Sequence, residues 1–119
     1  MLTQQTDPAS GVIEITVDGA ISKEEYQATV AAIQAVLDAH GKVRVIEVIK
    51  SLGWIDPSVW WEDVRWVFGH LNGIGRCAVV TDKGWVGSIT RAVSALMPTE
   101  IRVFALGEID AARAWVREG

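Results

Sequence analysis

Three short runs rich in β-branched residues recur through this chain: KVRVIEVI at 42–49, RCAVVT at 76–81 and IRVFAL at 101–106. Strands of this kind carry apolar side chains on both sides, and they are buried when helices cover both faces of a parallel sheet. Helical patterns separate them, one at about 57–71 and another near 84–97 that stops before Pro98. An earlier strand, VIEITV at 12–17, alternates apolar and polar residues and ends at a turn signal, Asp18-Gly19. EIDAARAWVRE closes the chain as a last helix. The spacing is strand and helix in strict alternation, with connections long enough for right-handed crossovers. It predicts an α/β fold with a mostly parallel sheet of four to five strands and about four helices.

LTQQT at 2–6 is a weak further strand. The Pro and Gly of Asp7-Pro8-Ala9-Ser10-Gly11 read as a turn, so this segment is expected to form a hairpin with 12–17 and to lie antiparallel at the sheet edge. With 119 residues, half of them hydrophobic, the chain is expected to form a single domain, 1–119, that buries about two-thirds of its unfolded surface. There is no internal repeat or linker.

The clearest helix is SKEEYQATVAAIQAVLDAHG. Ser22 and Glu25 are spaced as a capping box, and Gly41 supplies a left-handed stop after His40. Tyr26, Val30, Ile33 and Leu37 form the inward stripe. The other face carries Ala28, Ala31, Ala32, Ala35 and Ala39 and almost no charge. Two readings stay open: alanine chosen for helix propensity, or close packing against a second subunit through Ala28, Ala32 and Ala35.

WIDPSVWWEDVRWVFGHL, residues 54–71, holds Trp54, Trp60, Trp61 and Trp66. Asp56 is a good N-cap, and Pro57 suits the first helical position, where its missing N–H costs nothing. Trp60, Val64, Val67 and Leu71 share one face at 100° per residue, with Trp61 and Phe68 at its shoulder, and they read as core. Trp66 falls on the other side, between Val59 and His70. There it marks either a self-association surface or pocket, or a partly buried residue with no further role. Trp54 is expected in the loop beyond the carboxyl end of a parallel strand, where open α/β sheets bind ligands. Trp85 is expected to begin its helix from the neighbouring strand end. Trp54, Asp56, Ser58, Asp82 and Trp85, together with the strand acid Glu47, therefore form a candidate ligand or partner rim.

The order of these elements resembles the SpoIIAA-like group of STAS-type domains, small bacterial proteins related in fold to anti-anti-sigma factors and also compared with the CRAL-TRIO lipid-transfer fold. DGAISKEEY resembles the family's first strand-to-helix junction, GKVRVIEVI its second strand and WWEDVRW its central helix. RCAVVTDKGW and AARAWVRE are similar to its later strand and terminal helix. The resemblance runs over nearly the whole chain and implies a non-catalytic protein-interaction module. In the phosphorylated antagonists an Asp-Ser-Ser-like turn at this helix start carries the regulatory serine. Here it reads Asp56-Pro57-Ser58, with proline where serine is typical, so phosphorylation control does not follow. Ser58 reads as a serine of the capping region.

Other chemistry finds little support in the residues. The net charge of −4 and the absence of any basic run argue against nucleic acid and anionic membranes as partners. MLTQQTDPASG has neither the basic nor the apolar part of a signal peptide, and no apolar run approaches the roughly 20 residues that span a bilayer. One cysteine, Cys77, permits no internal disulfide and fits a reducing, cytoplasmic setting. It reads as an inert core thiol. His40 and His70 end different helices and are expected to meet helix carbonyls, so no metal or cofactor is expected. No catalytic residue set is recognisable. Glu47 is the odd acid, set inside VIEVI. Either it takes amides or an arginine such as Arg76 at the strand end, or it is a polar group in an apolar pocket. The expected behaviour is that of a homodimer that binds a protein partner; the alternative is a small hydrophobic or lipid-like ligand held between helices and sheet.

Overall fold

The computed structural model describes residues 1–55, 57–96 and 99–118, without the side chains of Ile55, Trp60, Val64, Val67, Phe68 and Leu71. The expected core face built from Trp60, Val64, Val67, Phe68 and Leu71 lies outside the described residues. So do the Asp56 cap and the stop at Pro98.

The elements are β1 (Leu2–Asp7), β2 (Val12–Ile21), α1 (Lys23–His40), β3 (Val43–Ile55), α2 (Pro57–Gly69), β4 (Ile74–Thr81), α3 (Gly84–Ser94), β5 (Glu100–Phe104) and α4 (Ile109–Glu118). The strands form one sheet in the order β1-β2-β3-β4-β5. β1 is antiparallel to β2, and the other neighbours are parallel. The weak run at 2–6 is thus the antiparallel edge strand. Gly11 closes its turn at φ 68°, donating to the Asp7 carbonyl at 3.1 Å.

Alternation along the strands sorts the core. Ile13, Ile15, Val17, Val43, Val45, Ile49 and Val79 face one way and pack with Tyr26, Ile33 and Val36 of α1, Val59 of α2 and Val86 of α3. Val12, Ile46, Val48, Ala78 and Val80 face the other way, covered by Ala112 and Val116 of α4. The interior strands are therefore buried on both faces, as their β-branched composition requires. α4 is seated by arginines from the sheet. Arg44 donates to the carbonyls of Val116 and Arg117, and Arg76 donates to that of Trp115 at 2.7 Å. Two cations at a helix C-terminus complement its dipole.

The capping box of α1 forms as expected. The Glu25 amide donates to Ser22 Oγ and the Ser22 amide to Glu25 Oε1, both at 3.1 Å. Glu25 Oε2 also accepts the amide of Leu2 at 2.7 Å, which ties the edge strand to the helix start. Gly41 adopts φ 74° and donates to the Leu37 carbonyl. The fully buried line of α1 is Tyr26, Thr29, Ile33 and Val36; Val30 and Leu37 sit at its margin.

Two expectations fail at one place. Asp18-Gly19 is not a turn, and Trp54 is not in a loop. β2 continues to Ile21 and β3 to Ile55, pairing with each other through register shifts around Asp18 and Gly19. They form a two-stranded arm beyond Thr81, where β4 ends. Gly19 absorbs the irregularity at φ 88°. A side-chain bond from Ser51 Oγ to Asp18 at 2.7 Å holds the arm together. Gly53 permits the close approach, because a Cβ there would lie 2.8 Å from the Ala20 nitrogen.

Candidate functional site

Two regions carry the polar and aromatic groups: a cleft between α1 and α2, and the carboxyl end of the sheet.

The cleft is lined by Tyr26, Gln27, Val30, Glu62 and Trp66 and has a volume of about 170 Å³. Trp66 does not project into solvent as its angular position suggested. It is half-buried against the main core, and Val59 beside it is fully buried, so α2 turns this side toward the sheet. The Trp66 ring stacks on His70 with centroids 4.2 Å apart, and His70 Nδ1 donates to the Trp66 carbonyl at 2.8 Å. The latter is the helix-end contact expected for a histidine. His40 instead lies against Gly11. Conversely Trp61, expected in the core, is 70% exposed. The reason is the composition of α2, which beyond the polar stripe of Ser58, Glu62 and Arg65 is apolar over most of its circumference, so periodicity leaves its inward direction undetermined.

Acidic groups gather at this face of the sheet. The Tyr26 hydroxyl donates to Asp63 Oδ1 at 3.3 Å. Asp63 keeps an exposed edge, yet the protein packed around its carboxyl raises its pKa, against the Tyr26 hydrogen bond. Burial also raises the Tyr26 phenol, with Asp63 adding to it. Glu47, opposite Ile15 and Val79 in the sheet, has its carboxyl pushed up to about 7 by burial and then by the charge of Asp63. Among the described residues none donates a hydrogen bond to it. The arginine expected to pair with it does not. Arg76 is on the opposite face, bonded to Glu100 at 3.1 Å and lying 4.8 Å over the Trp115 ring. Strand parity explains this, since Cys77 is the residue paired with Val45 and Arg76 points with Ala78 toward α4. Cys77 shares the Glu47 side, and burial, Glu47 and Asp63 push its thiol up to about 12. It is a thiol at neutral pH and a poor nucleophile.

At the carboxyl end, Trp54 on the β2–β3 arm is 72% exposed and Trp85, in the first turn of α3, is 56% exposed. Asp82 follows β4 and accepts the Leu106 amide at 3.0 Å. Ser58 is half-buried in the first turn of α2 and has polar interactions of its own. Asp56 lies outside the described residues. Glu47 lies apart from this rim, mid-strand in β3 on the face that Val45 and Ile49 share with α1. Of the alanines of α1, Ala28, Ala31, Ala35 and Ala39 are exposed, while Ala32 packs partly on the core. Sequence reasoning missed Ile89 and Val93, which are exposed along α3, and Leu96, exposed in the turn after it. The signal was present: this helix has two apolar lines, one more than the sheet needs.

The strand order, the antiparallel first strand and the helices on both faces define a mixed α/β protein with a SpoIIAA-like fold. A family model described as SpoIIAA-like matches residues 12–117, and the chain belongs to that family. An uncharacterised protein of the DUF3478 family from Shewanella loihica PV-4, with a SpoIIAA-like fold, superimposes with a TM-score of 0.76. It is 16% identical, and the match covers 98% of this chain and 92% of that one, a likeness of fold. No curated protein sequence matches the chain. Among the described residues no helix is long and apolar enough to cross a membrane.

Proposed function

We propose that this chain is a single, cytoplasmic, non-catalytic interaction module of the STAS type, which self-associates and receives a protein partner at the rim of Trp54 and Trp85. The observation that carries this reading is that both indoles are exposed at the carboxyl end of the sheet. Each is anchored on regular structure, and tryptophan is enriched among residues that dominate binding energy. Asp56, Ser58 and Asp82 would furnish the polar surround that such contacts have. The reading needs neither metal nor cofactor.

The test is a photo-crosslinking residue placed at position 54 or 85 in the native host. A discrete adduct with a protein other than this chain at both positions, and none at exposed Asp38 on α1, supports the rim. Equal labelling at all three positions, or none, removes it. Sedimentation at micromolar concentration tests self-association separately.

The second reading is a small hydrophobic ligand in the α1–α2 cleft, favoured by the apolar surfaces of Trp66, Tyr26 and Val30 there. Its volume is below the roughly 300 Å³ at which drug-sized sites begin, so the ligand must be small or must part the helices. Native mass spectra showing a retained mass would support it. Spectra consistently at the bare chain mass would remove it.

A further inference from the structure

The outward face of α3 is apolar and without charge. Advancing 100° per residue, Trp85, Ile89 and Ala92 fall within about 60° of one another, and Leu96, in the turn just past the helix end, continues their line. Val93 forms one shoulder and Ser88 with Ala95 the other. The opposite side, with Val86 and Gly87, is buried on the sheet. Arg91 borders the apolar face but folds back over Gly87, whose missing Cβ would lie 3.5 Å from Arg91 Nη1. Phosphate, whether of nucleic acid or of lipid, finds no cation on this face.

Trp85, Ile89, Val93 and Leu96 are 56, 57, 44 and 88% exposed. At on the order of 200 Å² per large apolar side chain, they leave roughly 500 Å² uncovered. A standard interface takes about 800 Å² from each partner, and in homodimers about 65% of it is apolar, again roughly 500 Å². The face thus holds the apolar area that one protomer of a stable dimer contributes.

The face is also complementary to itself. A two-fold axis passing between Thr90 and Arg91 would set Trp85 against the partner's Leu96, and Ile89 against the partner's Ala92. Large residues then meet at the two ends, while large meets small in the middle, where the helix axes approach to about 8–10 Å. Most soluble oligomers are two-fold dimers with such isologous contacts. We infer that a second copy of this chain docks on the outward face of α3, with the two α3 helices antiparallel. This rests on the self-association part of the proposed function and assigns it a surface distinct from α1 and Trp66; it shares Trp85 with the rim, so a second copy and a protein partner would compete there.

Sedimentation equilibrium of the full chain tests it, with Ile89→Lys and Ala92→Glu measured alone and as an equimolar mixture. Both positions are exposed, and circular dichroism verifies the fold; if one variant unfolds, the other carries the comparison. The expected result is a wild-type dimer at micromolar concentration, weakened at least about tenfold (1.4 kcal/mol) in each variant. The mixture regains the dimer because the ammonium introduced by Ile89→Lys in one copy would face the carboxylate introduced by Ala92→Glu in the other. A wild-type dimer insensitive to both substitutions overturns the α3 assignment and leaves self-association standing. Weakening without rescue by mixing overturns the antiparallel pairing. A wild type that stays monomeric overturns this inference together with the self-association reading.

Discussion

The hydroxyl of Tyr26 donates to the carboxylate of Asp63 across 3.3 Å, joining α1 to α2 at the wall of the cleft. Tyr26→Phe removes the hydroxyl and keeps the ring. A hydrogen bond to a charged group contributes about 1.5–3 kcal/mol, less where water competes, so a loss of about 1 kcal/mol is expected. Urea unfolding measures it. Because the phenol lowers the Asp63 pKa, the variant should also shift that titration upward, visible by NMR.

Stability should fall as pH rises from acidic to neutral. The Glu47 carboxyl has an ordinary pKa of 4.5 and a folded value of about 7. Between these values the native state holds a proton that the unfolded chain has released, so the slope of unfolding free energy against pH is negative. The full stabilisation is present below the lower value and is lost as pH passes through the upper one. Asp63, also raised, acts in the same sense. The loss is on the order of 2 kcal/mol, reduced because the carboxyl keeps some contact with water. Glu47→Gln should flatten the dependence between about pH 5 and 8 and leave the variant the more stable form at the upper end. Urea midpoints that do not move with pH in the wild type would contradict this.

Cys77 should resist thiol reagents in the native state. Its pKa of about 12 leaves almost no thiolate at mildly alkaline pH. Reaction with an aromatic disulfide reagent should be slow and should accelerate on adding denaturant. Immediate stoichiometric reaction would show the thiol to be accessible and ionised.

Gly53→Ala should destabilise the arm that carries Trp54. The new methyl would meet the Ala20 backbone at 2.8 Å, and a backbone neighbour cannot swing aside as a side chain can. Overpacking of this kind costs about 1–3 kcal/mol. Thermal unfolding gives the loss, and hydrogen exchange should locate it at 18–21 and 51–55.

The sheet was legible in the sequence because its signal is local. KVRVIEVI and RCAVVT have few ways to bury side chains on both sides, and Ser22 with Glu25 marks a helix start by chemistry alone. Orientation was harder. α2 carries Trp61 on one side and Val59 with Trp66 on another, so only tertiary packing decides that Trp66 turns inward and Trp61 outward. The partner of Glu47 depended on strand parity across neighbours, which sets Arg76 on the far face. The continuation of β2 and β3 past Asp18 depends on each other's presence, a pairing that neither segment announces alone. Trp85 begins α3 just past the end of β4, as the strand–helix alternation implied, whereas Trp54, expected in a loop, lies on the paired extension of β3.

The contact between Glu25 and the Leu2 amide bears on how copies of this molecule can and cannot grow into larger bodies. An open border strand offers its outward amides as a template for fibrillar stacking. Here the first of those amides is already occupied by a charged acceptor from α1, and the strand itself is short and polar. The opposite border, β5, is shorter still and carries Glu100 and Arg102. Both flanks thereby discourage runaway polymerisation through the sheet.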